Sequence, residues 1–169
     1  GWEPYYAISH HYRFAITSVF AASAQYRHLI LVEEDIEVGV DFFDYMRAMS
    51  TVLDGDHSLY CASAWNDNGK AGLVMDPKAV YRTDFFPGLG WMMTRKLWDE
   101  ELQRTWPLGF WDDWLRQPKQ RKRRSCLRPE VPRTFTWCDN SDGVSQGQFC
   151  AEHLANIKLA DTAINWRAM

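Results

Sequence analysis

Residues 29–38 read Leu-Ile-Leu-Val-Glu-Glu-Asp-Ile-Glu-Val, an apolar run that stops in three consecutive acids. Leu29 to Val32 is long enough for a buried strand and too short for a helix. Glu33, Glu34 and Asp35 are therefore expected at or just past the carboxyl end of that strand, where open α/β sheets bind their ligands. Three neighbouring carboxylates repel one another unless a positive charge lies between them. A hard divalent cation, held by one or two carboxylates and the phosphates of a substrate, answers that need. The pattern points to a metal-dependent nucleotide or nucleotide-sugar enzyme. A solvated acidic turn is the plainer reading of the same residues, and the rest of the chain has to decide between them.

Around this strand the pattern alternates between helix and strand. Ser9 to about Tyr26 is predicted as an amphipathic helix, with Ser9 as N-cap and Tyr12, Ala15, Val19 and Ala22 on one face. Asp41 is placed to cap a second helix carrying Phe42, Met46, Met49 and Leu53, closed by Gly55. Ser58 to Ala64 reads as a strand, and Asn66-Asp67-Asn68-Gly69 as a turn. Leu97–Trp106 and Phe110–Arg116 are predicted helical, the latter ending before Pro118. From Arg128 onward Pro129, Pro132, 139–143 and Gly147 break the pattern into loops and short strands, with a last helix at 148–159. Such alternation predicts an α/β fold with a mostly parallel sheet.

Composition narrows the function classes. A length of 169 residues fits one domain with a single core. A net charge of −3 gives no electrostatic case for nucleic acid or an anionic membrane surface. The basic block Lys119-Gln120-Arg121-Lys122-Arg123-Arg124 reads as a solvated face rather than a polyanion site. No run approaches the roughly 18 apolar residues that span a bilayer, no signal peptide is visible, and Gly1 is not a natural start. Nine Trp among the aromatics supply core volume and also rings able to stack on sugars or bases. The four cysteines permit three pairings and are compatible with either an oxidising compartment or buried free thiols. They form no CxxC pair, which argues against structural zinc.

Five blocks then occur in order: Glu33-Glu34-Asp35-Ile36-Glu37-Val38 with Asp41-Phe42-Phe43; Ser63-Ala64-Trp65-Asn66-Asp67-Asn68-Gly69-Lys70; the segment 81–91 ending Pro87-Gly88-Leu89-Gly90-Trp91; Trp111-Asp112-Asp113-Trp114 with Arg116; and Gly143-Val144-Ser145 with Gly147-Gln148-Phe149. Together they strongly resemble the catalytic core of the N-acetylglucosaminyltransferase I family, Golgi enzymes that add β1,2-linked GlcNAc to a mannose of N-glycans. The O-mannose β1,2-GlcNAc-transferases resemble it more distantly. The resemblance runs from about His11 to Lys158. It implies a GT-A type, Rossmann-like nucleotide-sugar transferase domain and inverting transfer from UDP-GlcNAc with Mn²⁺. It also implies a chain truncated at both ends: residues 1–169 as one catalytic-domain fragment, with a loop-rich acceptor side at about 128–150. The family's first βαβ unit and the domain that normally follows are then absent. Location in the Golgi lumen follows from the resemblance, with membrane attachment only through a missing N-terminal anchor.

Residue roles carry over motif by motif. The resemblance implies Asp35 as the metal ligand, Glu34 at the ribose and Glu33 at the sugar; the family usually has Asp where this chain has Glu34. It implies Asp112 as the general base, and adjacent helical residues diverge by about 100°, so Asp113 cannot serve the same proton. His11 matches the residue that meets uracil, Leu89 lies in the segment lining the donor sugar, and Trp111 belongs to the base motif. Arg116 and Arg124 match arginines near the acceptor or loop. Ser145 falls in a loop that the family orders over bound donor, here preceded by two extra residues. Cys61 and Cys126 match a family disulfide, and Cys138 with Cys150 is expected as a second bridge. The remaining readings are transfer to O-linked mannose and a non-catalytic nucleotide-sugar- or carbohydrate-binding fragment.

Overall fold

Pro4 sets where the first helix begins. A proline in the first turn lacks only an N–H that would be unsatisfied anyway, and its φ is pre-set for helix. In the computed structural model, which describes residues 1–137 and 150–168, helix α1 accordingly spans Glu3–Ala22. It starts six residues before the predicted cap, so Ser9 is an interior residue: buried, with its Oγ donating to the Pro107 carbonyl at 2.8 Å. The buried stripe is Ser9, Tyr12, Ile16 and Phe20 rather than the predicted Tyr12, Ala15, Val19 and Ala22. Arg95 closes the far end, donating to the carbonyl of Phe20 in the last turn and to those of Ser23 and Tyr26 in the segment that follows.

Strands β1 (His28–Leu31), β3 (Leu59–Ser63), β4 (Val80–Thr83), β5 (Trp91–Thr94) and β6 (Ser125–Pro129) form one sheet in the order β1-β5-β3-β6-β4. Its one parallel pair is β3·β6; β1·β5, β3·β5 and β4·β6 are antiparallel. The expectation of a mostly parallel sheet is corrected. Helix α2 (Phe42–Gly55) does carry the chain from β1 back to a β3 of the same direction, as a helical crossover should. But β5, reached from β4 through residues 84–90, inserts between them and runs the other way. The fold is α/β with a mixed sheet.

Helix α2 buries Phe42, Tyr45, Met46, Met49 and Leu53 against one face of the sheet together with Leu59, Ala62, Met92 and Leu127. Helix α1 covers the other face, where Ile16 and Phe20 join Trp91, Met93, Trp98, Trp106 and Trp111. Cys61 and Cys126 are register partners on β3 and β6 and form a disulfide. Its 65-residue separation corresponds to roughly 3–5 kcal/mol in the chain-entropy account. The second expected bridge involves Cys138, outside the described residues. The predicted helix at 97–106 is a short α3 (Arg95–Leu97) running into a π turn at Trp98–Leu102, and of 148–159 the described part contains one π turn, Cys150–Leu154.

A separate two-stranded ribbon pairs β2 (Ile36–Val38) with β7 (Thr134–Thr136), antiparallel. Immediately before it, Glu130 ties down the loop 75–81. Its Oε1 accepts the N–H groups of Met75 (2.7 Å) and Asp76 (3.0 Å), and Oε2 accepts the Tyr81 hydroxyl (2.7 Å). The two backbone donors and the hydroxyl hold the Glu130 carboxyl down at about 2, against an ordinary 4.5. A depressed carboxyl stabilises the fold above its unfolded value, and that contribution is lost as pH falls. Urea titrations between pH 4.5 and 2 should therefore show a shallower loss of stability for Glu130→Gln, which is also less stable at neutral pH; parallel curves for variant and wild type would contradict this.

Candidate active site

The acidic turn follows β1 directly, as expected. Leu31 pairs with Trp91, and Ser63 at the end of β3 also pairs with Trp91, so Glu33–Asp35 lie beyond the edge of the sheet where β1 and β3 end. The turn is stitched to the ribbon: Trp137 N–H donates to the Asp35 carbonyl at 2.9 Å, and Thr136 Oγ1 donates to Asp35 Oδ2 at 3.1 Å. Asp35 and Glu34 face solvent. Glu33 turns inward and accepts the Tyr12 hydroxyl at 2.7 Å on Oε1. Burial pushes the Glu33 carboxyl above its ordinary range; the Tyr12 bond opposes that, while the charges of Asp35, Glu34 and Asp112 reinforce it. Tyr12 itself is pushed up by burial and by Glu33, Asp112 and Glu34.

The second half of the site is helix α4 (Trp111–Arg116). Its first residue is preceded by Phe110 in the left-handed region (φ +52°), a conformation a bulky residue adopts only when its surroundings over-determine it. Here Tyr5 stacks on Phe110 at 4.6 Å and Trp2 meets it edge-on at 5.4 Å. Trp111 is buried between Tyr12 (4.1 Å, 25°) and Trp91 (5.9 Å, 15°), with the Phe86 ring edge-on. Arg116 bridges Asp112 (2.9 Å) and Asp113 (2.8 Å) through one nitrogen and lies over the Phe85 ring. The two acids differ in what they face. Asp112 is the one whose charge reaches Glu33 and Tyr12; Asp113 is the more exposed, at 68% against 41%.

Leu89 also has positive φ (+44°), between Gly88 (+67°) and Gly90 (+85°). The loop is pinned through its carbonyls: Ser63 Oγ donates to Gly88, Thr134 Oγ1 to Leu89, and Ala64 N–H to Gly90. A side chain at Gly90 would meet Thr134 Cγ2 at 2.6 Å, so β7 and this loop are in direct contact. His11 is exposed and lines, with Tyr12, Glu33 and Glu34, a cleft of about 630 Å³ between α1 and β1.

The structure thus brings His11, Glu33, Glu34, Asp35, Trp111 and Asp112 to one end of the sheet, with the pinned loop holding Leu89 beside β7. It does not bring Arg124 to the acidic turn. Arg124 precedes β6, whose first residue pairs with Leu59 at the start of β3, and its guanidinium is engaged with both Glu101 oxygens and the carbonyls of Gln120 and Arg121. Much of the basic block is used the same way, with Arg121 on Asp84 and Lys122 on Glu101. Ser145 lies outside the described residues. Asn66 is buried, with its side-chain amide bonded to Glu130 O and the Asn68 N–H, so this block holds a turn. The sequence reading missed Tyr12 as a polar group, because at helical spacing it reads as an apolar face position. It also missed Thr136 and Arg133, which carry no local signal.

Comparison with known proteins identifies the family. Residues 1–169 match the family described as the GNT-I family. The alpha-1,3-mannosyl-glycoprotein 2-beta-N-acetylglucosaminyltransferase of Arabidopsis thaliana is 45% identical over 164 residues, which is 97% of this chain and 36% of that relative. The chain belongs to the GNT-I family.

Proposed function

We propose that this chain is the catalytic part of a β1,2-N-acetylglucosaminyltransferase of GT-A type, transferring GlcNAc from UDP-GlcNAc to O2 of a terminal mannose of an N-glycan. The observation that carries the reading is the meeting of the acidic turn and Asp112: Tyr12 touches Glu33 and stacks on Trp111, and the charge of Asp112 acts on both Tyr12 and Glu33. The cleft between α1 and β1 receives the donor, with His11 at the uracil, Glu34 at the ribose, Glu33 at the sugar and the Leu89 loop and Trp111 walling the sugar side.

The residues fit Mn²⁺ in one mode. Asp35 offers an exposed carboxylate for it. An exposed carboxylate oriented by Thr136 matches the way hard cations bind through one carboxylate plus substrate phosphates, and Asp35 is that residue. Asp35 would hold such an ion, which would supply positive charge to offset that of the diphosphate. The chain's own part is proton transfer and positioning. Asp112 takes the proton from mannose O2 as that oxygen bonds to the anomeric carbon of GlcNAc. The bond from that carbon to the phosphate oxygen breaks on the opposite face, UDP leaves with the electron pair, and the configuration inverts. The Golgi lumen is the proposed site of action, and the Cys61–Cys126 bridge suits such an oxidising compartment.

Asp35→Asn tests the assignment. It should weaken Mn²⁺-dependent UDP-GlcNAc binding by at least about tenfold, ~1.4 kcal/mol, and leave metal-free binding unchanged. Equal affinities for variant and wild type in Mn²⁺ would remove Asp35 from the metal site.

A further inference from the structure

We propose that Tyr12 is a positioning residue for the transfer reaction: its hydroxyl fixes the Glu33 carboxylate that meets the donor sugar, and its ring fixes the Trp111-Asp112 step of α4. The inference rests on the function proposed above and adds a residue to it. Tyr12 is 8% exposed and sits on the α1 stripe that otherwise packs Ile16 and Phe20 into the core. A phenylalanine would serve that packing. The hydroxyl instead reaches Glu33 Oε1 at 2.7 Å, a charge-assisted hydrogen bond to a carboxylate. One oxygen of Glu33 is thereby held, and Oε2 keeps its own capacity to accept from a ligand hydroxyl.

The ring does a second job. It stacks on Trp111 at 4.1 Å and 25°, closer than either Trp91 or Trp106 approaches that indole. Trp111 opens α4, so its position sets where Asp112 projects. The two ends of the site therefore share one side chain, supplied by α1. Geometry held to a fraction of an ångström is what positioned reactants require, and misplacement of about 1 Å costs on the order of 10²-fold.

The two jobs separate by substitution. Tyr12→Phe keeps the stack and deletes the hydroxyl; Tyr12→Leu deletes both. Steady-state kinetics of GlcNAc transfer should show Tyr12→Phe raising KM for UDP-GlcNAc about tenfold with kcat within about threefold. Tyr12→Leu should lower kcat in addition, by about tenfold or more. A residue that only supports the fold gives the opposite pattern, because a smaller folded fraction lowers apparent kcat and leaves KM alone. Acting through Glu33 has its own signature: Tyr12→Phe combined with Glu33→Gln should raise KM no further than Glu33→Gln alone. An unchanged KM for Tyr12→Phe in an enzyme that Glu33→Gln impairs would overturn the inference and leave the proposed function standing. A wild-type protein that neither binds UDP-GlcNAc nor transfers GlcNAc would overturn both.

Discussion

Asp112→Asn lowers GlcNAc transfer by about 10² to 10⁴ and leaves UDP-GlcNAc binding within about twofold; this is the largest functional effect expected of any single substitution here. The amide is nearly isosteric with the carboxylate but cannot take a proton from the acceptor hydroxyl. Arg116 keeps its bond to Asp113, so α4 does not lose its pairing. Asp113→Asn is the control. Its carboxylate also pairs with Arg116 but is the more exposed of the two. It should lose less than tenfold in rate. Initial rates with saturating acceptor, beside donor affinity by calorimetry, distinguish the pair. The reverse result, with Asp113→Asn inactive and Asp112→Asn active, would move the base by one residue and overturn the proposed geometry.

Arg133→Met costs about 3–5 kcal/mol, the largest effect on stability expected of a single change. Asp41 and Arg133 are both wholly buried. Asp41 Oδ1 accepts from Arg133 Nε (3.2 Å), and Oδ2 accepts from Arg133 Nη2 (3.3 Å), Ile164 N–H (3.1 Å) and Trp166 Nε1 (2.7 Å). Arg133 also donates to the carbonyls of Val131 and Pro77 and lies 4.8 Å from the centroid of the Trp166 ring. Removing the guanidinium leaves a buried carboxylate without its counter-charge, held by the Ile164 and Trp166 N–H groups, and takes a donor from two carbonyls. For a chain of this size the cost corresponds to a fall in Tm of roughly 6–20 °C. Asp41→Leu combined with Arg133→Met should be less damaging than Arg133→Met alone, since no charge is then left unpaired. Thermal unfolding of the three proteins checks this, and a loss below about 1 kcal/mol for Arg133→Met would contradict it. Because Arg133 leads directly into β7, the same network also sets where Thr136 meets Asp35.

What was legible in the chain follows from the range of the forces involved. The acidic turn after β1 and the apolar face of α2 were readable because each is written in neighbouring residues: an apolar run that ends, and a three- and four-residue spacing. Asp41 was legible as a helix start but not in its partner. At the N-cap position its carboxylate makes no capping bond and serves Arg133, 92 residues away. The sheet direction failed for a related reason. Alternating helix and strand signals describe α2 and its crossover correctly, yet nothing local states that β5 slips between β1 and β3 in the opposite sense. In the site, the chemistry-bearing acids announced themselves by type. The groups that hold them, Tyr12 on Glu33 and Thr136 on Asp35, are defined only by folding, across 21 and 101 residues.

Calorimetric titration of this chain with UDP-GlcNAc, in Mn²⁺ and again after chelation, tests the central claim most directly. The account predicts saturable binding in Mn²⁺ that weakens by at least about tenfold when the ion is removed. Folded protein that binds no UDP-GlcNAc in either condition would contradict the reading of the acidic turn as a donor site.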